Sequence, residues 1–232
     1  NGVFQVLATR GDARLGGDDF DWEIAKVLLA RFREETGVDL QGDRLALQKI
    51  TQASEAAKVR LSEQPTARVE IPFLAVKKQE PLHLDSSLSR QELEAMLAPY
   101  LERTLLLTRG CLQDAGLRPE EVDRLLLVGG STRIPAVRRA VEELFGRKAE
   151  AGVNPEEVVA CGAAVQAGIM AGQAPRMVLL DVTPLSLGVE TADQKMATLV
   201  PRNTPLPARV QALFTTVSDF QKSATITVLQ GE

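Results

Sequence analysis

Residues that do metal and redox chemistry are scarce in this chain of 232 residues. It has one histidine, His83, and two cysteines, Cys111 and Cys161. Three such residues cannot supply a structural zinc tetrad. Both cysteines stand in apolar helical patterns, so two buried free thiols in a reducing compartment are expected rather than a disulfide. His83 falls in a strand-like stretch, 81–84, and takes no role. Positive charge is not in excess: the formal net charge is −4, which argues against nucleic acid as a partner. No run approaches the roughly 18 apolar residues of a membrane span. Neither a secretory leader nor a Walker A loop is found. Nothing reads as a nucleophile–base pair, a carboxylate dyad or a metal cluster, so no catalytic or metal-ligating residue is assigned.

What is present is ordinary for a globular protein, with 44% hydrophobic and 25% charged residues. The chain opens on an alternating strand pattern over residues 1–9. Gly11-Asp-Ala-Arg-Leu-Gly-Gly-Asp-Asp-Phe-Asp21 follows, in which Asp18 or Asp19 can cap a helix. That helix carries Ile24, Leu28 and Phe32 at helical spacing and ends at Gly37. A second helix is predicted over 44–62, with Leu47, Ile50, Ala57 and Leu61 as its stripe. Ala67, Val69, Ile71, Phe73 and Ala75 alternate as one face of a strand. The chain turns at 77–80 and returns through Leu82 and Leu84. Ser89-Arg-Gln-Glu92 is a capping box opening a long helix to about Gly116. Residues 124–128 form a short apolar run suited to a strand buried on both faces. A helix with Val137, Val141 and Phe145 follows, and Asn154-Pro-Glu-Glu157 caps a last one over 158–171.

From residue 185 onward no helical period remains. Short alternating runs at 185–191, 196–200, 210–216 and 224–229 read as an antiparallel β unit. Strand patterns at both ends suggest a piece of a longer protein. Between the helical part and the β unit lies an apolar connector, Met177-Val-Leu-Leu-Asp181. Connectors are normally polar and solvated. An apolar one, Val178, Leu179 and Leu180 before Asp181, is expected to dock in one state and be exposed in another.

Two constellations can hold a ligand. Gly129, Gly130, Ser131, Thr132 and Arg133 join an apolar run to a helix start, which gathers free backbone N–H groups and a positive dipole end. Arg133 can lie against a base or a phosphate. The same turn also suits a plain helix-capping role. Glu55, Lys58 and Ser62 stand at i, i+3 and i+7 on one side of a helix. A carboxylate, an ammonium and a hydroxyl in line can hold a ribose or the polar edge of a base, and equally suit a solvated face with a Glu–Lys pair. A third segment, Gly162-Ala-Ala-Val-Gln-Ala-Gly168, reads as close packing by small residues.

These motifs, in this order, resemble the seventy-kilodalton heat-shock chaperones of the DnaK type. The likeness rests on the Gly11–Asp21 segment, Val128-Gly-Gly-Ser-Thr-Arg-Ile-Pro135, Asn154-Pro-Glu-Glu157 with Gly162-Ala-Ala-Val165, and Leu179-Leu-Asp-Val-Thr-Pro-Leu-Ser-Leu-Gly188. Arg202-Asn203-Thr204 and Val228-Leu-Gln-Gly-Glu232 extend it over essentially the whole chain. The resemblance implies an α/β fold: one lobe of an actin-like ATPase, then part of an antiparallel β-sandwich. It places lobe II at 1–174 with a subdomain inserted at about 20–117, an interdomain linker at 175–183, and the start of a substrate-binding β domain at 184–232. It implies that Glu55, Lys58, Ser62, Gly129, Gly130, Ser131, Arg133 and Glu156 hold ATP or ADP. Magnesium ligands, the lobe I phosphate loop and the catalytic acid are expected to precede residue 1. Val59 stands where some members have a second basic residue, and Glu156 where the family usually has Asp.

The resemblance further implies that Val189, Ala192, Phe214, Val217, Ala224 and Ile226 contact an extended hydrophobic peptide. Ala224 is smaller than the valine common there. Expected partners are unfolded polypeptides, a J-domain co-chaperone and a nucleotide-exchange factor, with neither nucleic acid nor membrane, in the cytoplasm. The whole protein is expected to hydrolyse ATP, and this piece alone is not. Two other readings are an iron–sulfur-assembly chaperone of the same family and another actin-fold ATPase or sugar kinase.

Overall fold

A computed structural model describes residues 2–150, 152, 154–173, 177–216 and 218–232. In chain order the elements are β1 (Gly2–Gln5), α1 (Gly17–Thr36), α2 (Arg44–Glu63), β2 (Thr66–Lys77), β3 (Glu80–Ser89), α3 (Arg90–Asp114), α4 (Pro135–Phe145), α5 (Val158–Met170), β4 (Met177–Leu180), β5 (Leu187–Glu190), β6 (Met196–Val200) and β7 (Val228–Gln230). They form two compact units. One comprises residues 12–106 and 122–159, the other residues 1–11, 107–121 and 160–232. This grouping cuts the predicted lobe differently. Residues 160–173 fall with the β unit, and α3 contributes to both groups.

The first unit owns the main core. The stripes of α1 (Ile24, Leu28, Phe32) and α2 (Ile50, Ala57, Leu61) meet there with Ala67, Val69 and Ile71 of β2, Leu84 and Leu88 of β3, and Leu93 and Leu97 of α3. Helical spacing puts the α1 and α2 residues on single faces, and burying those faces stabilises helices that propensity alone would leave marginal. The N-cap of α1 is Gly16, not Asp18 or Asp19. Asp19 acts from inside the helix, its Oδ2 accepting from the Gly16 N–H at 2.7 Å. Asp43 caps α2 by accepting from the Leu45 and Ala46 N–H groups. The capping box at Ser89 and Glu92 forms reciprocally. Both Lys78 and Gln79 adopt positive φ at the hairpin turn.

The predicted alternation of β2 fails at its middle. Phe73 is exposed and Leu74 buried, because the register slips between Ile71 and Ala75. Pro72 has no N–H to give the ladder, so the strand bulges there. Phe73 takes φ +52°, and its freed N–H donates to Nδ1 of His83 at 2.9 Å. Its ring meets the imidazole edge to face. His83 thus pins a bulge.

The predicted strand at 124–128 does not form. Its backbone enters no ladder; the Glu150 N–H donates to the Leu125 carbonyl, and the Arg124 side chain pairs with the Glu150 carboxylate. A strand meant for burial on both faces needs neighbours on both sides, and Leu126 and Val128 stand exposed instead.

In the second unit β4 pairs with β1 in parallel, from Gly2 opposite Met177 to Gln5 opposite Leu180. The apolar connector is therefore held through its backbone, while Val178, Leu179 and Leu180 keep half-exposed side chains. The β unit is smaller than predicted, an antiparallel sheet in the order β6-β5-β7. Residues 210–216 form no strand, and of 224–229 only the end from Val228 pairs. Asp114 gathers Arg10 (2.6 and 2.8 Å), Arg202 (3.0 Å) and Asn203 (3.3 Å). Together these donors hold its carboxyl below the usual range, Arg10 foremost. Cys111 and Cys161 are free thiols, but neither is buried as expected: Cys111 is half-buried and Cys161 exposed.

Phe32 is fully buried at the centre of the first core. Phe32→Ala should lower stability by about 3–5 kcal/mol, read from urea unfolding with an unchanged slope. A loss under about 1 kcal/mol would mean that this core does not carry the unit.

Candidate functional site

The predicted ligand residues come together in the first unit. A cavity of about 670 Å³ is lined by Glu55, Lys58, Val59, Ser62, Gly130, Ser131, Arg133 and Glu156, among others. Its size suits a small molecule or cofactor. Gly129 lies just outside this lining, at φ +92°, a conformation that favours glycine. Its N–H donates to the Pro155 carbonyl. Gly130–Arg133 forms a single 3-10 turn leading into α4, so the Gly-Gly junction is a turn before a helix, as expected, without the strand in front of it. Thr132 Oγ donates to the Gly129 carbonyl at 2.6 Å, which fixes the turn and uses up that hydroxyl's proton.

α2 supplies one wall. Glu55, Lys58 and Ser62 share a side of it because 3.6 residues make a turn. Ser62 Oγ donates back to the Lys58 carbonyl at 3.1 Å, leaving its lone pairs for a ligand. Lys58 Nζ is held by Asp21 Oδ2 at 2.8 Å and by the Gly17 carbonyl at 3.1 Å. The opposite wall is charged and mutual: Arg133 Nε pairs with Glu156 at 2.9 Å, and its Nη2 reaches Asn154 Oδ1 at 3.3 Å. Both partners are half-exposed, so this pair contributes little to stability and can be exchanged for a ligand.

The arrangement places three cations (Lys58, Arg133, Arg138), three carboxylates (Glu55, Glu63, Glu156) and the hydroxyls of Ser62 and Ser131 around one cavity with an apolar patch at Val59 and Ile134. Such a set fits the oxygens and the flat base of a nucleoside: Lys58 as hydrogen-bond donor, Arg133 as a stacking or anion-binding group, Glu55 and Glu156 as acceptors. No cluster of three or more His, Cys, Asp or Glu among the described residues could hold a metal ion.

Two contributors escaped sequence reasoning. Asp21 was visible as an acid three and four residues before Ile24 and Ala25, on the apolar stripe of α1, and it is 4% exposed. Gly17 matters through its backbone: a side chain there would stand 3.1 Å from Lys58 Nζ and 3.4 Å from Ser131 Oγ. A second, larger cavity of about 870 Å³ opens beside Trp22, Lys26 and Arg33 on α1. None of the predicted ligand residues lines it.

The residues expected to touch peptide are spread over the β unit. Val189 lies in β5. Ala192 is in the turn after it, and Phe214, Ala224 and Ile226 are exposed outside any strand, so the alternating runs predicted at 210–216 and 224–229 do not place them on strand faces. Val217 lies outside the described residues.

Compared with known protein families, residues 1–232 match the model described as Hsp70 protein. That family's nucleotide-binding domain has the actin-like ATPase fold, and it binds ATP or ADP, generally with magnesium. The match covers the cavity, the connector and the β unit alike, and the chain belongs to the Hsp70 family, the chaperones of the Hsp70 kind.

Proposed function

We propose that this chain is the coupling half of an ATP-controlled chaperone of the DnaK type, which binds extended hydrophobic segments of unfolded proteins. The observation that carries this reading is the convergence of Glu55, Lys58, Ser62, Ser131, Arg133 and Glu156 on one cavity beside a Gly-Gly turn. Adenosine lies there, with the base against Arg133 and the ribose along α2. The connector, residues 178–181, links nucleotide state to the β unit by pairing with β1 or leaving it. Its three half-exposed apolar side chains support this, because an apolar strand left unpaired is an association hazard. Val189, Ala192, Phe214, Val217, Ala224 and Ile226 form part of the peptide groove. J-domain and nucleotide-exchange partners act on the same protein in the cytoplasm, and residues outside this chain supply magnesium and the hydrolytic groups. The iron–sulfur-assembly role and the sugar-kinase reading gain no specific observation.

In the full-length protein, Arg133→Ala should weaken ADP binding by roughly 1–3 kcal/mol, measured by calorimetry. It should also blunt ATP-driven release of a labelled Leu-rich peptide. ADP affinity equal to that of the unaltered protein removes Arg133 from the site. Proteolysis within 178–181 should differ between the ATP and ADP states, since cleavage needs a strand released from its partner. Equal cleavage in both states contradicts coupling through the connector.

A further inference from the structure

Asp21 is the least comfortable residue of the first unit. It is 4% exposed, and its Oδ1 is buried with no hydrogen-bond partner among the described residues. Leaving a buried carboxylate oxygen unpaired costs free energy, and the α1 stripe would pack as well with an apolar side chain at that position. Its other oxygen, Oδ2, accepts from the Lys58 ammonium at 2.8 Å. Lys58 is itself largely enclosed, its side chain 14% exposed. An ammonium has three N–H groups in fixed tetrahedral relation. Two are aimed by Asp21 and by the Gly17 carbonyl. Fixing two directions fixes the third, and Lys58 lines the candidate cavity.

We propose that Asp21 is a positioning residue of the nucleotide site, which holds the Lys58 ammonium so that its third N–H meets an oxygen of the bound nucleotide. The inference rests on the nucleotide reading of the cavity. It explains why an acid sits on an apolar stripe and why glycine stands at 17. A side chain at Gly17 would crowd Lys58 Nζ at 3.1 Å, and the ammonium would have to move.

The arrangement is sensitive to acid. Burial pushes the Asp21 carboxyl above its ordinary 3.8, Lys58 opposes that rise, and the nearby charges of Glu55 and Asp18 add to it. The ionised form is the one that holds Lys58. Protonation therefore begins at a higher pH than for an exposed aspartate, and it removes the charge that orients the ammonium. Nucleotide affinity should fall with pH through that range.

The test uses the full-length protein and its D21N, K58M and D21N/K58M variants, with ADP and adenosine titrated calorimetrically between about pH 5 and about pH 8. D21N keeps the volume and loses the charge. It should bind about tenfold more weakly near neutrality with unchanged melting, as expected for a charge-assisted hydrogen bond misplaced. With adenosine, whose own charge does not change in this range, the affinity of the unaltered protein should decline toward acid more steeply than that of D21N, the difference reporting Asp21. Added to K58M, the D21N change should cost nothing further. A loss seen with adenosine assigns the oxygen to the nucleoside, and one seen with ADP alone assigns it to a phosphate. Unchanged binding by D21N, or an equal loss in the K58M background, overturns the inference while leaving the nucleotide site standing. No binding by the unaltered protein overturns both. Should D21N melt early, the unaltered protein decides: the Lys58 side-chain resonance must move as Asp21 titrates, and a Lys58 signal indifferent to it overturns the coupling.

Discussion

The packing of α1 on α2 sets everything else in the first unit. Ile24, Leu28 and Phe32 lock against Ile50, Ala57 and Leu61, and that contact fixes the rotation of both helices. With α2 so turned, Glu55, Lys58 and Ser62 cannot face the core and must face the cavity. With α1 so turned, Asp21 falls on the buried side, where it holds Lys58. The polar site is thus a by-product of an apolar fit. A core whose side chains interdigitate at high density holds those helices to fractions of an ångström, which is what a positioned hydrogen bond requires.

Much of this was legible in the sequence. Periodicity marked α1, α2, the hairpin and α3, and Gly37 and the Ser89–Glu92 box marked the end of α1 and the start of α3, because each signal is local and the winning interaction lies within a few residues. The Gly37 cap and the Ser89–Glu92 box behave as their chemistry dictates, whereas the Asp43 cap of α2 was seen only in the structure. The site residues were legible for the same reason: three lie on one helix side and four in one turn. What was hidden depends on distant partners. The bulge at Pro72 required knowing how the strand shifts when a ladder donor is missing, and it turned Phe73 outward. The run at 124–128 carries a strand pattern, yet a pattern cannot supply neighbouring strands. Asp21 could be read as misplaced, but its partner stands 37 residues away on another helix.

The second unit follows a different logic. Its strands are short, and its large apolar side chains, such as Leu213 and Phe220, are almost wholly exposed. Exposed apolar surface of this kind marks a region that has somewhere else to pack or something to bind. Its firmest points are polar. Asp114 is gripped by two arginines and an asparagine, and the Thr183 and Thr204 backbones tie the turn after β6 to the connector's end. The proposed peptide-binding role draws on such groups, since hydrophobic side chains and unpaired strand edges are what an extended chain recognises.

The central claim is that the cavity between α2 and the Gly130–Arg133 turn is an adenosine pocket aimed by the buried Asp21–Lys58 pair. Crystals of the full-length protein grown with ADP test it most directly. The account predicts the base against Arg133, the ribose along Glu55, Lys58 and Ser62, and Lys58 Nζ still within hydrogen-bonding distance of Asp21. ADP bound elsewhere, or bound there with Lys58 turned away from Asp21, would contradict it.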